Sequence, residues 1–268
     1  MLVMLTDKQL TDFKRSGCMR LCAAFSEFAA QNICQHIWNF LAQRSGVHRD
    51  DPTTWAAART NGFQALTQSH AFDELAGTAL TNAFNHILGH GRWQSPQHWG
   101  MPLITFPQSK KWRLPHSHWH LDFAARRIGD SLPGLRALAF LAPVESHGGG
   151  TLVLEGSHTL VERLVTDGRA NAGHSADIRK MLARSNAWLR ALWNPENADS
   201  TADSTDAERE LRFMIDGTTI DGVHLRVVEL TGAPGDAVVM HPWTLHAASP
   251  NCAAHPRMML SSSVFTTP

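Results

Sequence analysis

The sequence predicts a mainly β domain with a helical buttress, and three observations carry that expectation. The first hundred residues show helical spacing of apolar side chains. From about Gly100 the pattern changes to short apolar runs separated by Gly- and Pro-bearing turns. No repeat and no clear linker interrupts the chain. Helices first and then many short strands suggest an antiparallel β-barrel or sandwich with helices packed against it. At 268 residues the length admits one large domain or two small ones, with ample chain to bury a core. The expected organisation is a single domain over 1–268: a helical N-terminal third, a β core from about residue 100, and a lid over 194–222.

The elements follow in order. Thr6-x-x-Gln9 is a capping-box pattern, Leu10 and Phe13 share one helical face, and Gly17 ends the helix. Residues 18–25 read as a short strand. Ser26 caps a longer helix with Ile33, Ile37, Phe40 and Leu41 on one side. Residues 50–61 form a polar loop around Trp55, and Leu80, Phe84, Ile87 and Leu88 mark a further helix closed near Gly89 and Gly91. Strands are expected at 102–106, 116–123, 135–144, 151–154, 223–230, 237–240 and 258–265. Turns are expected at 147–150, 155–158 and 235–236. Ile178, Met181, Leu182, Leu189 and Leu192 suggest a helix, and the polar stretch 194–210 reads as a surface loop able to gate a site.

Composition removes several function classes. Lys+Arg and Asp+Glu balance at 24 each, so no basic excess argues for nucleic acid or an anionic membrane surface. No run of about 18 apolar residues predicts a membrane span. The start reads as no secretory signal, and Cys18, Cys22, Cys34 and Cys252 do not form a disulfide framework. A reducing cytoplasm is expected, and the oligomeric state cannot be read. The sixteen histidines make a metal site worth seeking.

His120-x-Asp122 carries the chemistry. On a strand, residues two apart share a face, so this pair brings an imidazole and a carboxylate together. One further imidazole completes a two-histidine, one-carboxylate face with open positions, the arrangement of non-haem Fe(II) oxygenases. His246 is the best candidate. Arg257, eleven residues beyond it, offers a donor fork suited to the far carboxylate of a small keto acid.

These residues resemble the phytanoyl-CoA dioxygenase family of Fe(II)/2-oxoglutarate oxygenases. The matching pieces are His120-Leu121-Asp122, the run from Gly148-Gly149-Gly150-Thr151 to Gly156-Ser157-His158, Pro234-Gly235-Asp236 leading to His246, and the step from His246 to Arg257. Leu5-Thr6-Asp7-Lys8-Gln9-Leu10 with Phe13 and Gly17 is also similar to that family's N-terminus. The resemblance implies a double-stranded β-helix, a jelly-roll (cupin-like) barrel. It implies Fe(II) held by His120, Asp122 and His246, with 2-oxoglutarate paired to Arg257 and lined by Thr151. It also implies a dioxygenase that consumes O2, converts 2-oxoglutarate to succinate and carbon dioxide, and hydroxylates an unactivated C–H bond of a small molecule. The carboxylate at Asp122 argues against halogenation. Met259 departs from the family by standing where a hydroxyl residue is common, with Ser261 two further along; Glu155 replaces a common proline.

Two other readings compete. His118-x-His120-x-Asp122 resembles the opening of a zinc metallohydrolase motif, but Phe123 stands where that motif needs histidine. A jelly roll can also serve as a non-catalytic binding protein. His116 and His118 share strand parity with His120, which leaves them either facing the same cavity or sitting at a solvated strand entry. His241 is expected to pack.

Overall fold

The structure, a computed structural model, describes residues 5–170, 174–193 and 205–267. Local signals set its first third. Helix α1 (Asp7–Ser16) starts at the Thr6–Gln9 capping box and ends at Gly17, whose φ of 81° places it in the left-handed region glycine favours. Strand β1 (Cys18–Leu21) is shorter than expected, and Ser26 caps the long α2 (Glu27–Ser45) through the Ala29 amide. A 3-10 turn (Pro52–Ala57) occupies the expected polar loop, then α3 (Gln64–Gln68) and α4 (Thr78–Leu88) follow.

The β core begins with β2 (Trp93–Gln94), β3 (Met101–Thr105), β4 (Gly134–Phe140) and β5 (Thr151–Glu155). The expected turn at 155–158 is instead a helix start. Gly156 takes φ 79° and the chain runs straight into α5 (Ser157–Thr166). The helix expected around 178–192 is two, α6 (Ser175–Ser185) and α7 (Ala187–Trp193), divided at Asn186, whose backbone is extended. Part of the expected loop, 194–204, lies outside the described residues. Its remainder is ordered as α8 (Asp206–Glu210), capped by a Thr205–Glu208 box, and a π-helical turn (Leu211–Asp216). Strands β6 (Thr218–Ile220), β7 (Val223–Glu229), β8 (Ala237–Met240), β9 (His246–Ala248) and β10 (Arg257–Thr266) complete the chain.

Two antiparallel sheets result. The larger has the order β1-β8-β4-β10-β2, with β3 also on β10; the smaller has the order β6-β7-β5-β9. Both faces of the large sheet are buried, which explains the continuous apolar reading of β4. Leu135, Ala137 and Ala139 pack outward on Ile33, Ile37 and Phe84 of the helices. Leu138 and Phe140 point inward to Val153, Val238, Met240 and Met259. On the smaller sheet Leu152, Leu225 and Val227 pack outward on Leu160, Ile178 and Leu189. The fold class is the expected jelly roll, but the sheets do not close into a barrel. Single bridges such as His120–His246 and Val144–Gly232 add pairing in the segments that flank the strands. The segment between β3 and β4 carries Pro107, Pro115 and Pro133, none of which can donate to a ladder. Among the described residues no helix is long and apolar enough to cross a membrane.

Candidate metal centre

His120 does not lie on a regular strand. His118 adopts φ 63°, a left-handed conformation that ends any strand parity between His116, His118 and His120. The expected strand at 116–123 is therefore one bridge. His120 N–H donates to His246 O at 2.9 Å, and His246 N–H returns to His120 O at 3.1 Å. Residues directly opposed in an antiparallel pair share a face, and the two imidazole centroids lie 4.2 Å apart.

Backbone and side-chain ties hold both segments. The buried Trp243 donates through Nε1 to Ala124 O at 3.0 Å, joining the turn before β9 to the chain after Asp122. Ser175 of α6 accepts from Leu121 N–H and donates to Leu121 O, both at 3.0 Å. Thr244 Oγ1 donates to Gly17 O at 3.1 Å, and Leu245 N–H donates to Ser157 Oγ at 2.9 Å. The termini of α1 and α5 thus brace the loop that carries His246. Gly17 has no room for a side chain here, since an added Cβ would clash with Thr244 Oγ1.

The ring contacts set the tautomers. His120 Nδ1 lies 2.8 Å from His118 O, and His246 Nδ1 lies 3.0 Å from Thr244 O. A carbonyl accepts, so each Nδ1 carries a proton, and each Nε2 is turned toward Asp122 as the atom that would bind a metal once it gives up any proton shared with the carboxylate. His246 Nε2 is 3.2 Å from Asp122 Oδ2, and His120 Nε2 is 3.7 Å from Oδ1. The three ligand atoms lie within 4.8 Å of one another. Donors about 2.1 Å from a shared ion at right angles would sit about 3 Å apart. The donor set therefore fits a divalent cation with positions to spare. His246 is buried, whereas the His120 side chain is 47 % exposed, so the site opens to solvent on that side.

Asp122 is anionic. Burial alone would raise its carboxyl, but hydrogen bonds from His246 and Arg136, and then their charges, hold it well below the usual carboxylate range. Burial, then the neighbouring His246, push His120 down, against the pull of His118 O and Asp122.

Arg257 opens β10 opposite Thr105. Alternation along β10 turns Arg257, Met259, Ser261 and Ser263 to the face between the sheets, where Met259 packs. Arg257 is buried, and its Nε has no hydrogen-bond partner among the described residues. Burial lowers it to about 10, against the pull of Glu229, so it stays cationic at neutral pH. Thr151 is buried at the start of β5 opposite Ala248, on the face shared by Val153 and His246. Two polar residues were missed in the sequence. Glu229 accepts from His147 N–H at 2.6 Å and Gly150 N–H at 2.9 Å. Arg136 forks onto Asp122, with Nε and one terminal nitrogen each 2.5 Å from a carboxylate oxygen. For Arg136 the available signal was a charge inside an otherwise apolar strand. His241 packs as expected, between Phe13, His158 and Trp243.

Facing antiparallel sheets with a His-x-Asp pair and a distant histidine between them define a jelly-roll protein of the cupin-like, metal-site class. The model of the phytanoyl-CoA dioxygenase (PhyH) family matches residues 13–259, and the chain belongs to that family. It is accordingly an enzyme of the Fe(II)/2-oxoglutarate-dependent class, which displaces both the zinc hydrolase and the non-catalytic reading. Similar solved structures include AviO1 from Streptomyces viridochromogenes Tue57, with 13 % identity, TM-score 0.53, and coverage of 100 % of this chain and 97 % of that one. HygX from Streptomyces hygroscopicus with nickel and 2-oxoglutarate bound has 14 % identity and TM-score 0.51, covering 98 % and 88 %. The apo form of the non-heme monooxygenase ThoJ has 14 % identity and TM-score 0.52, covering 96 % and 76 %. At these identities the likeness establishes the fold. No curated protein sequence matches the chain.

Proposed function

We propose that the chain is a non-haem Fe(II)/2-oxoglutarate-dependent dioxygenase that hydroxylates an unactivated C–H bond of a small organic molecule. In this reaction O2 and 2-oxoglutarate are consumed, one oxygen atom enters the substrate, and succinate and carbon dioxide leave. His120, Asp122 and His246 hold the iron. Arg257 pairs with the distal carboxylate of 2-oxoglutarate, and Thr151 lines that pocket. Bound Fe(II) supplies the open coordination positions and the redox chemistry for O2.

The observation that carries this reading is the convergence of two histidine Nε2 atoms on an ionised carboxylate. The buried guanidinium with an unpartnered Nε supports the cosubstrate assignment. A buried cation lacking a full hydrogen-bond set is costly unless a ligand completes it. The described part of the expected lid, 205–222, acts as a cover within a single catalytic domain. Its contacts support that role: Arg113 reaches Asp206 of α8 at 3.1 Å, and His147 Nε2 lies 3.2 Å from Glu210. All four cysteines are free, which supports a reducing cytoplasm.

The test is succinate formation with Fe(II), ascorbate, 2-oxoglutarate and a panel of small substrates. Asp122→Ala should reduce it by more than about 100-fold, beyond the loss usual for partners outside the ligand set. Undiminished succinate from that variant would rule out the proposed metal centre.

A further inference from the structure

Asp122 can serve a metal only if its carboxylate is turned toward the two histidines. The terminal torsion of an aspartate is broad and holds no orientation by itself. Here the Arg136 fork takes one contact on each carboxylate oxygen. Two parallel N–H···O bonds fix a carboxylate plane in a way one contact cannot.

Arg136 is itself fixed. Its remaining terminal nitrogen donates to Ser261 Oγ at 3.1 Å and Ser263 Oγ at 3.0 Å. The strand register explains the choice of serines. Ser263 stands directly opposite Arg136 across β4 and β10, and Ser261 lies on the diagonal, opposite Leu138. The guanidinium spans from a rigid central ladder to the less regular segment that carries Asp122. Both side chains are largely shielded, at 22 % and 13 % exposure, so the pair is not a solvent-screened surface contact.

We propose that Arg136, locked by Ser261 and Ser263, is a positioning residue that orients Asp122 for the metal. The assignment rests on the metal centre proposed above. A carboxylate has about four lone-pair sites; the fork occupies one on each oxygen and leaves the others for a cation beside His120 and His246. A fork across both oxygens also disfavours their simultaneous use by the metal. Asp122 then offers one oxygen, and more positions remain open. Lysine cannot reproduce this, because an ammonium is a point charge without a planar fork.

The experiment is anaerobic titration of the metal-free protein with Co(II), read by ligand-field absorption and by affinity, with thermal melts alongside. Arg136→Met and Arg136→Lys should each weaken Co(II) binding by about 10–100-fold and alter the spectrum. The Ser261→Ala/Ser263→Ala double variant, which keeps the arginine but frees it, should weaken binding less and shift the spectrum in the same sense. A folded Arg136→Met with wild-type affinity and spectrum overturns the proposal. So does full rescue by Arg136→Lys, which would reduce the role to charge. Should Arg136→Met not fold, the lysine and double-serine variants decide. Wild type and His246→Ala are run together: equal Co(II) binding by these two would instead sink the metal centre, and the positioning role with it.

Discussion

Arg257 is a buried cation whose Nε lacks a partner among the described residues, set near the buried acid Glu229. The two are not redundant. Glu229 is already held by the amides of His147 and Gly150, and burial nevertheless pushes its carboxyl up. A second carboxylate would therefore find Arg257 with donors to spare. Arg257→Met keeps the stem and removes the fork. A hydrogen bond to a charged group contributes about 1.5–3 kcal/mol, so the 2-oxoglutarate concentration for half-maximal succinate formation should rise about 10–100-fold. The Co(II) affinity should stay within about twofold. An unchanged 2-oxoglutarate requirement would refute the cosubstrate role. The grouping of His120, Asp122 and His246 was legible in the sequence through the His-x-Asp spacing and the order of the family's motifs. Arg136 was not, because its serine partners lie 125 and 127 residues away and only strand register reveals them.

Caps and chain stops were legible for the opposite reason, since they depend on neighbours. The Thr6 box, the Ser26 cap and Gly17 all stand where expected. The sequence misled where glycine served a helix rather than a hairpin, as at Gly156, and where His118 took a left-handed turn inside an apparent strand. The polar stretch before β6 misled by composition: from Thr205 it is a capped helix followed by a π-helical turn. That unit is anchored by the buried Phe213 against Trp188 and by polar links, with Arg209 donating to Ala191 O and Leu192 O at 3.0 and 3.2 Å, and with the Arg113 and His147 contacts. Leu211 and Ile215, one turn apart, stay exposed. The flank that carries these two side chains is open to a protease. Adding Co(II) and 2-oxoglutarate should slow limited proteolysis within 205–216 several-fold relative to cleavage elsewhere. Cleavage at an unaltered rate would remove the cover from the mechanism.

At the site a pair of backbone hydrogen bonds, with the Trp243 Nε1–Ala124 O bond beside it, ties the smaller sheet to the chain before β4. His120 and Asp122 belong to the long connection between β3 and β4, whereas His246 belongs to the smaller sheet. A cation bound by all three would therefore tie the proline-bearing connection to that sheet. The unfolded chain holds these ligands far apart and binds the ion poorly, so binding stabilises the folded state through mass action. At 100 times its dissociation constant the ion contributes about 2.7 kcal/mol. For a chain of this size that corresponds to a rise in Tm of about 5–10 °C. The wild type should show this rise with Co(II) under anaerobic conditions and lose it on chelation, whereas His246→Ala and Asp122→Ala should show almost none. A comparable rise in those variants would place the stabilising cation elsewhere on the molecule. A wild type indifferent to metal would mean that the ion does not bind the folded state at this site, and would count against the proposed metal centre.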